Sequence, residues 1–75
     1  MYYMNGSEIM LGDKVSLGGG VMGIVVCCFE NRDFLAEFAI DGWEDYTRGV
    51  MVLSPEAGLI YYPETSIDLI LIKRK

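Results

Sequence analysis

Apolar and polar positions along the chain fall into short extended stretches separated by turn residues. The longest is Val21-Met22-Gly23-Ile24-Val25-Val26-Cys27-Cys28-Phe29, which is β-branched, apolar and bounded by turn formers. That make-up predicts a strand. Side chains of a strand alternate between its two faces. One face then carries Val21, Val25, Cys27 and Phe29, and the other Met22, Ile24, Val26 and Cys28. Both faces are apolar, whereas a small barrel has a single core. The second face therefore needs a cover, either another segment of this chain or a second molecule. Gly23 would permit a sharp bend there.

Other stretches repeat the theme. Tyr2 to Met10 reads as a β-hairpin around Asn5-Gly6, because both turn positions tolerate the positive φ of a type I′ turn. In that register Tyr2 faces Ile9 and Tyr3 faces Glu8. After a turn over Leu11 to Lys14, Val15 to Leu17 is a short strand, which Gly18-Gly19-Gly20 breaks. Val50 to Leu53 is a strand, Ser54 to Gly58 a hairpin loop, and Leu59 to Tyr62 the return. Pro63 to Ser66 turns again before a last strand over Ile67 to Ile72.

Residues 30 to 48 are the least regular part. Phe34, Leu35, Phe38 and Ile40 are apolar and could fold over the uncovered side of the long strand. Asp41 to Glu44 has the spacing of a capping box, Arg48 suits a helix C-terminus and Gly49 a stop. A single helical turn is expected at about 42 to 47. The pattern predicts one all-β domain over residues 1–75, a small, partly open antiparallel barrel of five to six strands with that short helical turn. An open α+β sandwich with a helix at 34 to 47 is the alternative.

Composition narrows the function. A chain of 75 residues holds one core. The net charge is −5, and Lys73, Arg74 and Lys75 sit together at the C-terminus. Without that solvated tail, Lys14, Arg32 and Arg48 oppose eleven acids, a net of −8. Such a body repels phosphate backbones, so nucleic acid is an unfavourable partner. Neighbouring Cys27 and Cys28 point to opposite faces and suit buried thiols in a reducing compartment. No leader pattern opens the chain, and the longest apolar run is half a membrane span. A cytoplasmic protein without membrane contact is expected.

The chain has no histidine, which removes the commonest general base, the Ser-His and Cys-His nucleophile systems and the commonest metal ligand. No catalytic residue, metal site or cofactor is expected. The acidic window says more. Glu30, Asp33, Glu37, Asp41, Glu44 and Asp45 lie within sixteen residues, opposed only by Arg32 and interleaved with Phe34, Phe38, Trp43 and Tyr46. Acids around aromatic rings suit a surface that docks a basic protein patch, with rings as anchors and carboxylates steering encounter. The candidate partner-binding residues are Asp33, Glu37, Asp41, Trp43, Glu44, Asp45 and Tyr46. The plain alternative is a solvated acidic loop whose rings cap the core.

Gly12-Asp13-Lys14-Val15 followed by Gly20-Val21-Met22-Gly23-Ile24-Val25-Val26 resembles the opening of SH3-like and KOW-type barrels, though the RNA-binding versions carry basic residues that are missing here. A wider pattern covers most of the chain: Tyr-Met-Asn-Gly-Ser-Glu-Ile near the start, Leu-Gly-Asp-Lys-Val, Gly-Ile-Val-Val, the Trp43 region, Gly-Val-Met-Val, Gly-Leu-Ile-Tyr-Tyr and Asp-Leu-Ile-Leu-Ile. It is similar to small bacterial proteins encoded beside polymorphic toxins of the Rhs and contact-dependent types. The resemblance implies an SH3-like barrel and an immunity protein that neutralises a cognate toxin; the acidic surface suits a toxin with a basic active cleft. Two other readings follow from the residues. One is a homo-oligomeric adaptor in which the strands at 21 to 29 and 67 to 72 pair with copies of themselves. The other is a KOW-like nucleic-acid module using Tyr61, Tyr62 and the basic tail.

Overall fold

The computed structural model describes residues 1–39 and 41–75; Ile40, expected to help cover the long strand, lies outside them. The strands are β1 (Lys14–Gly18), β2 (Val21–Cys28), β3 (Asp33–Phe34), β4 (Val50–Ser54), β5 (Gly58–Tyr62) and β6 (Ile70–Lys73), with one 3₁₀ turn at Ala36–Phe38. All pairings are antiparallel. The sheet runs β5-β4-β2-β1-β6, and β3 also pairs with β2. β5 and β6 end the order without closing, which makes a small, partly open SH3-like barrel. Among the described residues no helix is long and apolar enough to cross a membrane.

β2 is central because it is long enough to serve two partners along one edge. β1 takes its first half, through pairs such as Val15 with Gly23, and β3 takes Cys27 and Cys28. β4 pairs along the other edge from Ile24 to Cys28. Gly23 serves close packing rather than a bend. A Cβ there would lie 2.5 Å from a Val52 methyl and 3.1 Å from the Leu53 carbonyl oxygen, so any side chain would push β4 away.

The expected faces of β2 hold only up to a β-bulge. Val25 pairs with Val52 but Cys27 with Met51, so Val26 is an extra residue and the alternation shifts. Two apolar clusters result. The inner one holds Tyr3, Ile9, Val15, Val25, Cys28, Val50, Val52 and Leu69. The outer one holds Val26, Cys27, Phe29 and Met51, against which Phe34, Leu35, Phe38, Trp43 and Tyr46 pack. The chain thus covers the end of the second face itself, while Ile24 stays exposed beside Leu53 and Leu59. Cys27 and Cys28 are free buried thiols, one in each cluster.

Three further expectations are corrected. The first hairpin is shorter, a single bridge between Tyr2 and Glu8. The Gly6 N–H donates to the Tyr3 carbonyl and the Tyr3 N–H to the Ser7 carbonyl, and Gly6 alone takes positive φ, 91°. This is a three-residue loop with a bulge glycine, not a type I′ turn. The one-residue change buries Tyr3 and Ile9 together and leaves Tyr2 and Glu8 outside. The helical turn lies at Ala36–Phe38 rather than 42 to 47, where, among the described residues, the one backbone–backbone bond runs from the Tyr46 N–H to the Trp43 carbonyl. The last strand starts at Ile70, because Ser66 accepts the N–H groups of Asp68 and Leu69 in a turn that drops Leu69 into the inner core.

Candidate functional site

The segment from Phe29 to Gly49 forms a lid over the outer face of β2, held by a fully buried ring. Phe29 is 0% exposed, with Tyr46, Trp43, Tyr61 and Phe34 around it at centroid distances of 5.0, 5.5, 5.8 and 6.0 Å. Tyr46 also meets Trp43 at 5.2 Å and Tyr61 at 4.9 Å, edge to face. Such pairs add about 0.5–1.5 kcal/mol each beyond the area they bury. The Trp43 indole N–H donates to the Phe38 carbonyl at 2.8 Å, and the Tyr61 hydroxyl to the Arg48 carbonyl at 2.7 Å.

Arg32 ties the two halves of the lid. Its guanidinium donates to the Tyr46 carbonyl at 2.6 Å and more weakly to that of Trp43 at 3.5 Å, and it lies over the Phe34 ring at 5.1 Å. Its backbone is left-handed, φ 54°, where the N–H closes a turn onto the Phe29 carbonyl. That conformation costs a non-glycine residue about 1–2 kcal/mol. The guanidinium contacts offset the cost.

The carboxylates face outward. Asp33, Glu37, Asp41, Glu44 and Asp45 are all exposed. Backbone N–H groups of Glu44 itself and of Gly42, with a smaller contribution from Arg32, hold the Glu44 carboxyl below the usual carboxylate range. The Gly42 N–H reaches Glu44 Oε1 at 3.2 Å, a local cap on a turn rather than the start of a helix. Glu30 is occupied separately, accepting the Met1 amino group at 2.8 Å. Trp43 and Tyr46 are half-buried, each with one side against Phe29. The seven candidate residues thus lie on one lid, with its two rings half-buried against Phe29 and its five carboxylates exposed.

Residues outside that window also carry structure. Asp13, read as part of a turn, is 0% exposed. Its carboxylate accepts the Tyr3 hydroxyl at 2.6 Å, the Met10 N–H at 3.0 Å and the Arg74 guanidinium at 3.2 Å. Burial, followed by the bond to Asp13, pushes the Tyr3 hydroxyl well above its ordinary range. Arg74 is thus a tether, and Lys75 lies against Gly12, so the C-terminus is not the free basic tail expected from sequence. With Tyr61 bonded to Arg48, the side chains proposed for a nucleic-acid module are largely engaged within the fold. Burial pushes the Cys28 thiol up to about 11 and also raises that of Cys27, so neither is a ready thiolate nucleophile near neutrality.

No family model, no curated protein and no solved structure matches the chain.

Proposed function

We propose that the chain is an immunity-type protein that binds and neutralises a cognate bacterial toxin through the acidic surface of the lid, and that it acts by binding alone. One observation carries this reading. Five exposed carboxylates stand on a segment pinned by rings to Phe29, against two bases, Arg48 and Arg32, the second of which spends its guanidinium on the lid's own carbonyls. An ordered negative surface of this kind loses little freedom on docking and attracts a basic cleft over distance. A toxin that cleaves nucleic acid has such a cleft, and the carboxylates would take the place of phosphates. Trp43 and Tyr46 support the surface and offer only their outer sides to the partner.

The reading expects a toxin gene beside this one, and the test is association with its product. Asp41→Lys, Glu44→Lys and Asp45→Lys together should slow association about tenfold or more at low salt and flatten its dependence on ionic strength. An association rate equal to that of the unaltered chain would remove this surface from the contact.

A further inference from the structure

We propose that Asn5 is a modification site, at which the folded chain converts its own carboxamide to aspartate and isoaspartate. Asn5 and Gly6 stand exposed at the tip of the first hairpin. A Cβ placed on Gly6 would meet nothing within 4 Å, and glycine has none, so little crowds an approach to its nitrogen. The Ser7 N–H donates to Asn5 Oδ1 at 2.9 Å. That bond folds the carboxamide back along the main chain past Gly6 and polarises its carbonyl, as a donor at an oxyanion site does. The nucleophile is the Gly6 nitrogen, whose N–H is bonded to the Tyr3 carbonyl at 3.0 Å. Freeing it takes a local opening only. Among the described residues, the hairpin's strand pairing is one isolated bridge, Tyr2 with Glu8, and so short a hairpin opens readily.

Hydroxide takes the Gly6 N–H proton and becomes water. The nitrogen attacks Asn5 Cγ, the Cγ–Nδ2 bond breaks, and the amide leaves as ammonia with a proton from water, which restores hydroxide. A cyclic imide then joins the two residues. Water opens it, giving its hydroxyl to one carbonyl carbon and its proton to the nitrogen. Opening at Cγ leaves aspartate. Opening at the main-chain carbonyl leaves isoaspartate, in which the main chain runs through Cβ and Cγ. The net change takes up one water and releases one ammonia. Asn31 is the other carboxamide of the chain and the internal comparison. It precedes Arg32, which carries a side chain, closes its N–H onto the Phe29 carbonyl and holds its guanidinium on the Tyr46 carbonyl. Isoaspartate lengthens the main chain of a loop whose length turns Tyr3 and Ile9 into the core. Conversion therefore loosens the bond from Tyr3 to Asp13. The site lies outside the lid and does not rest on the proposed toxin contact.

Timed peptide mapping by mass spectrometry tests this on the full, unaltered chain, kept folded in buffer at neutral and mildly alkaline pH. Asn5 should change from amide to acid at least about tenfold faster than Asn31. Ammonia should appear in step, and the rate should rise in proportion to hydroxide. Both aspartate and isoaspartate should form at position 5, and the isoaspartate fraction should unfold at a lower urea concentration than the fresh chain. Urea well below the unfolding midpoint should leave the rate at Asn5 nearly unchanged. A rate that climbs with urea in parallel with global unfolding would place the reaction in the unfolded chain and overturn the assignment. So would conversion at Asn31 as fast as at Asn5, or an Asn5 that stays an amide in the folded chain while a peptide of residues 1–10 converts. An isoaspartate fraction as stable as the fresh chain would refute the loosening of the hairpin.

Discussion

Asp13 is the residue on which the two ends of the chain converge. Its buried carboxylate holds the first hairpin through Tyr3 and Met10 and the C-terminus through Arg74. Removing it strands a buried hydroxyl and a backbone N–H. Asp13→Ala is expected to cost about 3–5 kcal/mol, as other broken buried pairs do. Arg74→Ala should cost about 1 kcal/mol or less, because its side chain is 44% exposed and Asp13 keeps two other donors. Urea denaturation of both variants measures the difference, and equal losses would mean that the ion pair outweighs the hydroxyl and backbone bonds. For a chain of 75 residues, total stability is roughly 4–11 kcal/mol, so the first substitution removes a large share of it.

At the scale of elements, the lid is the unit most separable from the barrel. Among its described residues it holds two strand residues, β3, and one 3₁₀ turn. Its order comes from rings around Phe29 and from Arg32. Trp43→Ala deletes two ring contacts and the bond to Phe38, and should destabilise the fold by about 1–3 kcal/mol, less than a fully buried tryptophan would. Hydrogen exchange should quicken over residues 34 to 46 and stay slow in β2 and β4; uniform quickening would show that the lid does not open separately. The lid's composition was legible in the sequence, and its internal structure was not. Apolar residues among acids signalled a cover for β2, but capping-box spacing at Asp41 to Glu44 pointed to a helix. Glu44 instead bonds back to Gly42, and the ring contacts and the Arg32 bonds to two carbonyls hold this stretch in a turn.

The whole molecule meets alkaline conditions through groups in its inner core. The Cys28 thiol ionises near 9.0 when exposed and near about 11 when folded, and the Tyr3 hydroxyl is also raised. Between those values the unfolded chain holds fewer protons than the folded one, so stability is intact below about pH 9 and falls as pH rises toward 11. Denaturation midpoints across that range should decline, and Cys28→Ala should flatten the decline. A midpoint unchanged across the range would contradict the buried thiol. The sequence alone determined the class of fold. Its β-branched runs, its glycine turns and a length that permits one domain leave little besides a small antiparallel barrel, and its acids and missing histidine set the charge and the chemistry. Only the tertiary structure decided which way side chains point. One extra residue at Val26 reverses the alternation of β2, and a one-residue shift in the first hairpin exchanges Tyr3 for Tyr2 in the core. Strand periodicity is local and cannot register either event. Buried Asp13 meets Arg74 from 61 positions away, and a contact that distant exists only once the chain has closed on itself.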